Sequence, residues 1–200
     1  MALSIDSIKV FNGCAGIGGN AFKWDNCEVV AVENEPKIAE VYKKLNPTHT
    51  VIVGDAYEYF KNHHQEFNFA WWSPPCQKHS KMMKATRHNV ADYPDFKLYE
   101  VIVFCQHFFK GKWVVENVIP YYEPLIKPTA KLQRHLFWSN FDLPAKEFEK
   151  DKIRTAQIPD LQRLHGIDLS NYKISDKRQI LRNCVHAELG KYILECLYES

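Results

Sequence analysis

The most constraining feature of this chain is an alternation of short apolar, β-branched runs with stretches of helical periodicity. Repeated strand–helix–strand units build parallel sheets, and the crossovers between neighbouring strands are right-handed. The predicted strands are residues 8–11, 28–32, 51–53, 67–72, 113–115 and 135–139. The predicted helices are residues 18–24, 36–45, 56–61 and 96–109, with a helical tail over 175–197 that breaks at Arg182 and Asn183. We predict an α/β fold over residues 1–200: one domain with a doubly wound, mostly parallel sheet and helices on both faces.

Composition places the chain among ordinary globular proteins. Of its 200 residues, 46% are hydrophobic and 25% charged, and the net charge of +2 is too small to indicate nucleic-acid binding by itself. The six cysteines include no CxxC pair, so we predict reduced thiols and no metal site. No apolar run reaches the roughly 18 residues of a membrane span, and the N-terminus lacks the regions of a signal peptide. We expect a cytoplasmic protein without membrane contact.

The segment IKVFNGCAGIGG, residues 8–19, is typical of a strand entering a glycine-rich turn and then a helix. Glycines permit positive φ and close approach of a ligand, and a helix N-terminus would offer N–H groups to a carboxylate or phosphate. Glu33 ends the second strand, where it can accept from ribose hydroxyls, and Asp55 ends the third, where it can accept from an adenine amino group. Together these features favour an adenosine-containing cofactor.

The next two strands end in SPPCQ and VVENV. Two prolines stiffen the backbone and end a central strand, so Cys76 is predicted on a rigid turn. Glu116 follows an apolar run, where poor solvation would raise its pKa. Because the carboxyl ends of parallel strands share one crevice, Cys76 and Glu116 should face the ligand of the glycine turn. On these residues alone, a buried structural cysteine and a glutamate paired with an arginine are equally good interpretations.

Taken together, the motifs resemble those of the DNA (cytosine-5) methyltransferases. CAGIGG resembles their cofactor loop, SPPCQ their Pro-Cys-Gln nucleophile motif, ENV their Glu-Asn-Val motif, and residues 183–185 their Gly-Asn-(small)-Val segment, in the same order over about residues 8–195. The resemblance implies S-adenosylmethionine as the cofactor. The implied cofactor contacts are Phe11, Gly13, Ala15, Gly16, Ile17, Gly18, Gly19, Glu33, Asn34, Asp55, Ala56, Pro74, Asn183 and Val185.

The resemblance also implies a reaction, the methylation of C5 of cytosine in DNA. In this chemistry a thiolate adds to C6 of a flipped-out base, an acid stabilises the adduct at N3, and C5 attacks the methyl sulfonium. Cys76 is the implied nucleophile, Glu116 the implied acid and Arg134 the implied contact to the base. The thiolate must be favoured by nearby donors or positive charge. A bacterial or phage origin, with a role in restriction–modification or self-protection, follows from the resemblance alone.

Two segments depart from the family pattern. The family carries Gln-x-Arg-x-Arg before its sixth strand, whereas this chain has LQRHLFW, with the single arginine Arg134. A surface arginine that caps a strand is the alternative there. In the family a glycine precedes the cofactor asparagine, whereas this chain has Arg182 at that position. The assignment of Asn183 as a cofactor contact therefore depends on the match of residues 183–185 alone.

The long target-recognition region of the family is missing. Only residues 140–157 stand in its place, too short for an independent module. Recognition would then fall to a separate subunit or to the basic loop KHSKMMKATRH, residues 78–88, which in the family closes over the flipped base. The predicted nucleic-acid contacts are Gln77, Ser80, Lys81, Lys84 and Arg87. A solvated loop is the alternative for each lysine.

Three other functions are open at this stage. SPPC also resembles the Ser-Pro-Pro-aromatic motif of exocyclic-amine methyltransferases, although Cys76-Gln77 and Glu116-Asn117-Val118 favour methylation of carbon. RNA is an alternative substrate, since some members of the cytosine-5 fold methylate tRNA. The altered arginine segment also permits a catalytically weak or partner-dependent subunit that only binds.

Overall fold

The computed structural model of the chain describes residues 8–79, 93–148, 153 and 155–199. Its strands are β1 (Ile8–Gly13), β2 (Cys27–Glu33), β3 (Thr50–Val53), β4 (Phe69–Trp72), β5 (Lys112–Val118), β6 (Ala130–Leu132) and β7 (His135–Ser139). Its helices are α1 (Pro36–Leu45), α2 (Ala56–His63), α3 (Lys97–His107), α4 (Ile158–His165), α5 (Lys177–Asn183) and α6 (Ala187–Glu199), with a 3-10 turn at His64–Glu66.

All seven strands form one sheet, in the order β3-β2-β1-β4-β5-β7-β6. Strands β1 to β5 pair in parallel, and β7 runs antiparallel between β5 and β6. The chain moves outward from β1 to β3 and then returns to the other side of β1 with β4. The strand order therefore reverses between β1 and β4, and in doubly wound sheets ligands bind beyond the strand ends at such a point. This architecture confirms the predicted α/β fold with a doubly wound, mostly parallel sheet.

Each face of the sheet is buried in its own apolar cluster. One cluster packs Phe11, Trp72 and Val115 against α2 and α3, and the other packs Val10 and Trp71 together with α6. Successive residues of one strand, such as Val10 and Phe11, lie in opposite clusters because side chains alternate across a sheet. A sheet covered on both faces leaves its strand ends as the place where a ligand can enter.

Two helices begin at residues that follow strand ends. Pro36 occupies the first turn of α1, where a missing N–H costs nothing, and Lys43 and Lys44 lie in its last turn. Asp55 caps α2, since its carboxylate accepts hydrogen bonds from the backbone N–H groups of Tyr57 and Glu58. The residues that precede α1 and α2 therefore lie at the same edge of the sheet as the end of β1.

The prediction of a helix over residues 18–24 is wrong. This segment is a series of tight turns, with backbone hydrogen bonds such as Ala21 to Gly18 and Trp24 to Ala21. Gly18 has a φ of +82°, which a right-handed helix cannot contain. No helix N-terminus therefore faces the glycine turn from these residues.

Two elements were not predicted, the short strand β6 and the helix α4. The predicted insertion, residues 140–157, has no helix or strand over residues 140–148, and α4 begins directly after it. Residues 149–152 and 154 lie outside the described part of the chain. The helical tail breaks over residues 184–186, slightly after the predicted break. Within the described residues, the longest apolar helix is too short to cross a membrane.

Candidate active site

A cavity of about 530 Å³ lies at the carboxyl edge of the sheet. It is bounded by the segments that follow β1, β2, β3 and β4, by the end of β5, by the start of β7 and by the turn after α5. It brings together most of the predicted site residues. Those that line it are Ala15, Gly16, Ile17, Gly18, Gly19, Glu33, Asn34, Asp55, Ala56, Pro74, Cys76, Gln77, Glu116, Arg134, Asn183 and Val185.

Two predicted cofactor contacts, Phe11 and Gly13, are not among the residues that line the cavity. The side chain of Phe11 is fully buried in the core against Phe60 and Trp72. Gly13 packs so closely on Phe11 and Trp72 that a Cβ would lie within 2.7 Å of both rings. The predicted nucleic-acid contacts Ser80, Lys81, Lys84 and Arg87 lie outside the described residues.

The glycine turn owes its shape to backbone conformations that few residues adopt. Gly16 and Gly18 have positive φ, and Gly16 has open space where a side chain would stand. At Gly19 a Cβ would lie 1.9 Å from the sulfur of Cys184 and 2.7 Å from the carbonyl oxygen of Val185. The turn therefore packs directly on the segment after α5, which closes the cavity from the other side.

A buried polar network supports this turn, and sequence reasoning missed it. The Nδ2 of Asn20 donates to the Oδ1 of Asn12 at 2.9 Å, and the Nδ2 of Asn12 donates to the Tyr42 hydroxyl at 3.2 Å. That hydroxyl is 3.0 Å from the Nδ1 of His49. An asparagine inside the apolar strand IKVFNG was the available signal, since buried amides need partners.

Two carboxylates line the wall formed by β2 and β3. Glu33 is buried, and its two oxygens accept from the N–H groups of Gly16 at 2.9 Å and Glu35 at 3.0 Å. Asp55 is exposed, and its Oδ1 accepts from the N–H groups of Tyr57 and Glu58 at the start of α2. Both carboxylates are thus fixed in orientation by backbone donors while lining the cavity.

The turn that carries Cys76 is held by its neighbours. The Nδ2 of Asn117, on β5, donates to the carbonyl oxygen of Pro74 at 2.9 Å. His79 donates its N–H to the carbonyl oxygen of Cys76 at 3.0 Å, and its ring Nδ1 forms a hydrogen bond with the Tyr122 hydroxyl. The Asn of ENV and the His of PCQKH therefore restrain the turn on both sides of the cysteine.

The thiol of Cys76 faces the turn after α5. Its sulfur lies 3.9 Å from the Oδ1 of Asn183, which also accepts from the side chain of Gln179. Burial and the neighbouring Glu116 carboxylate raise the pKa of Cys76 to about 11, although Arg134 opposes this. Burial therefore favours the thiol at Cys76, whereas the Arg134 charge favours the thiolate.

Glu116 lies inside the wall and is almost completely buried. Burial raises the pKa of its carboxyl to about 7, against the opposing effects of the Arg134 charge and a hydrogen bond with Ser73. Its Oε2 has no hydrogen-bond partner among the described residues and lies 3.8 Å from the Nε2 of His135. The site thus contains a carboxylic acid that can carry a proton near neutral pH beside a cysteine.

Arg134 lines the cavity and also makes structural hydrogen bonds. Its Nη2 donates to the carbonyl oxygens of Arg182 at 2.8 Å and Cys184 at 3.2 Å. These bonds attach the start of β7 to the turn that packs on the glycine loop. His135, the next residue, also lines the cavity and was not predicted as a site residue. One sequence feature could have identified His135: it lies in the segment LQRHLFW, where the chain departs from the arginine pattern of the family.

No set of three or more His, Cys, Asp or Glu side chains within the described parts of the chain is arranged to hold a metal ion. The side chains that line the cavity bring together thiols, carboxyl groups, an arginine and a histidine.

Comparison with known proteins places this chain among methyltransferases. The sequence model of the C-5 cytosine-specific DNA methylase family matches residues 8–119. Among solved structures, the methyltransferase EhMeth of Entamoeba histolytica is similar over 96% of this chain and 98% of its own, with 10% identity and a TM-score of 0.56.

Two further structures match over smaller parts. The SAM-dependent methyltransferase of Agrobacterium tumefaciens is 14% identical, with a TM-score of 0.41, over 58% of this chain and 40% of its own. A mutant DNMT2 of Spodoptera frugiperda is 22% identical, with a TM-score of 0.40, over 56% of this chain and 36% of its own. Among curated proteins no sequence matches the chain.

Proposed function

Since the chain belongs to the C-5 cytosine-specific DNA methylase family, we propose that it methylates C5 of cytosine in DNA through a covalent bond between Cys76 and C6. Its cofactor is S-adenosylmethionine. The observation that carries the proposal is that Cys76 and Glu116 line one cavity together with the glycine turn. A nucleophile and an acid at the same cavity are what addition to a pyrimidine ring requires.

The residues of the cavity fit this cofactor. The open space at Gly16 leaves room for a ligand against the backbone of the turn. We propose that Glu33 accepts from the ribose hydroxyls and Asp55 from the adenine amino group, while Asn183 and Val185 close the opposite side. When bound, S-adenosylmethionine supplies a methyl group on a positively charged sulfur, which C5 can attack.

Cys76 and Glu116 divide the activation of the base between them. A base in solution takes the proton of the Cys76 thiol. The thiolate then donates an electron pair to C6, the ring electrons shift toward N3, and N3 takes the proton of the Glu116 carboxyl group. This makes C5 nucleophilic toward the methyl group that the bound cofactor would supply, and the rest of the cofactor would leave as a neutral thioether. Loss of the C5 proton to a base in solution then expels the thiolate, and the N3 proton returns to Glu116. The pyrimidine is restored with one methyl in place of one hydrogen.

The base must leave the duplex to reach this cavity. We propose that Gln77, which is exposed and lines the cavity, contacts it, and that phosphate contacts come from Ser80, Lys81, Lys84 and Arg87. Residues 140–148 form no helix or strand, so we propose that a separate subunit contributes to sequence recognition. The protein would then act in restriction–modification or self-protection with that partner.

The proposed function is tested by incubating the protein with methyl-labelled S-adenosylmethionine and unmethylated DNA, followed by digestion to nucleosides. We expect the label in 5-methyldeoxycytidine. RNA is run in parallel, and label in 5-methylcytidine alone would move the substrate to RNA. Label on an exocyclic nitrogen would contradict the covalent mechanism, and cofactor binding without any transfer would contradict the enzymatic proposal.

Two substitutions at Asp55 separate its proposed cofactor contact from its helix cap. Asp55→Ser keeps a capping oxygen but removes the carboxylate, so we expect the Kd for S-adenosylmethionine to rise about 10- to 100-fold with little change in Tm. Asp55→Ala should weaken binding similarly and also destabilise α2 by about 1 kcal/mol. Calorimetric titration and thermal unfolding measure the two effects. An unchanged Kd in Asp55→Ser would refute the adenine contact.

A further inference from the structure

We propose that His135 is a positioning residue for Glu116, donating its Nε2–H to the carboxylate left behind when the Glu116 proton moves to N3. The proposal rests on the function proposed above and deepens it. Glu116 is buried in the cavity wall, where water solvates it poorly. If it gives its proton to N3 without a nearby donor, it leaves an unpaired buried charge.

The strand register brings the two side chains together. β5 and β7 pair antiparallel, with Glu116 opposite Phe137 and Val118 opposite His135. Glu116 and Val118 point to the same side of the sheet because they are two residues apart, and His135 shares that side as the partner of Val118. Glu116 and His135 are therefore diagonal neighbours on the cavity side, with 3.8 Å between Oε2 and Nε2.

Each of the two side chains carries a buried polar atom without a hydrogen-bond partner among the described residues. The Oε2 of Glu116 and the Nδ1 of His135 have no hydrogen-bond partner within the described residues. Both side chains are over nine-tenths buried. A shift of roughly 1 Å would convert the 3.8 Å approach into a hydrogen bond of ordinary length. His135 is thus placed to give the Glu116 Oε2 a donor that it lacks among the described residues.

The charge state of His135 makes it a donor without a net charge. Burial and the neighbouring Arg134 lower the pKa of His135 to about 3, so the ring is neutral. A neutral ring carries one N–H, and a proton on Nδ1 would be a buried donor without a partner. The proton is therefore better placed on Nε2, which faces Glu116.

The charged and polar groups around Glu116 and His135 are compatible with a hydrogen bond from His135 to the Glu116 carboxylate. Arg134 supplies the positive charge that acts on both side chains, Ser73 forms a hydrogen bond with Glu116, and the thiols of Cys76 and Cys184 feel the Glu116 charge. When Glu116 is an acid it keeps its proton for N3. When Glu116 becomes a carboxylate, the His135 Nε2–H moves closer to Oε2 and donates a hydrogen bond to it. This bond stabilises the negative charge until N3 returns the proton to Glu116.

The kinetic test compares three substitutions at one position. Gln places an amide N–H near the Nε2 of histidine, Asn places its amide near Nδ1, and Leu has no donor. We expect His135→Leu and His135→Asn to lower kcat about 10- to 100-fold with unchanged KM for DNA and unchanged cofactor Kd, and His135→Gln to stay within about threefold of wild type. Equal kcat in the Leu and wild-type proteins would overturn the proposal.

A second readout does not depend on turnover. The carboxyl titration of Glu116 is followed by ¹³C NMR in glutamate-labelled protein, with the signal assigned by its loss in Glu116→Gln. Loss of a donor to the carboxylate disfavours the charged form, so the pKa of Glu116 should rise in His135→Leu and His135→Asn but not in His135→Gln. An unchanged pKa in all three would overturn the proposal. If wild type transfers no methyl to DNA while this shift is present, the proposed function fails and the His135 contact stands.

Discussion

Replacing Cys76 by serine is expected to abolish methyl transfer to DNA while leaving cofactor binding intact. A serine hydroxyl is far less acidic than a thiol, so no anion is available to add to C6, and we expect kcat to fall at least about 10⁴-fold. The near match in size leaves the cavity unchanged, and the glycine turn and Asp55 are contributed by other strands. Label transfer to unmethylated DNA and the Kd for S-adenosylmethionine measure the two effects.

Covalent trapping identifies the bond itself. DNA that contains 5-fluorodeoxycytidine cannot lose a proton from C5, so the adduct with the wild-type protein should persist through denaturation. Cys76→Ser should form no such complex. Cys27→Ser is the matched control, because Cys27 begins β2 at the edge of the sheet opposite to the cavity, and it should trap like wild type. Turnover by Cys76→Ser, or loss of trapping in Cys27→Ser, would contradict the assignment of the nucleophile.

Much of the fold was predictable because it depends on local patterns. The parallel strands are short apolar runs, and Pro36 marks the start of α1 at the predicted residue. The meeting of Cys76 and Glu116 with the glycine turn was predictable as well, since strand ends in a doubly wound sheet converge. The family resemblance is confirmed over residues 8–119, whereas the individual roles of the site residues stay predictions.

The glycine segment shows where local pattern fails. Residues 18–24 were predicted as a short helix, yet Gly18 takes a left-handed conformation. The reason is tertiary: a Cβ at Gly18 would lie 2.6 Å from the Tyr42 ring and the Asn46 amide, so the turn is shaped by its contact with α1. Sequence shows that glycine permits this conformation but not that a distant helix demands it.

The direction of side chains near β7 could not be predicted either. The motif drew attention to Arg134 as the contact to the base, yet the described bonds of its guanidinium reach the backbone of Arg182 and Cys184. His135, one residue later, faces Glu116. The placement of His135 follows from the antiparallel pairing of β5 and β7, which makes it a diagonal neighbour of Glu116. That pairing became visible only with the structure.

Replacing Glu116 by glutamine is expected to lower kcat and to raise stability at alkaline pH. Glutamine cannot give a proton to N3, and loss of a general acid typically costs about 10²- to 10⁴-fold. The effect on stability has a separate origin. The folded pKa of Glu116 is raised from 4.5 to about 7, so the native state keeps a proton that the unfolded state releases. Stability is therefore lost as pH rises through this range.

The Glu116→Gln protein lacks this loss, so its advantage over wild type should be absent near about pH 4.5 and should grow to about 3 kcal/mol above about pH 7. Urea unfolding at several pH values measures it, with Glu28→Gln, an exposed carboxyl group on β2, as the control that should show no such trend. A difference independent of pH would mean that Glu116 is already ionised in the folded protein. In that case N3 would have to take its proton from another group, and the pairing with His135 would be present from the start.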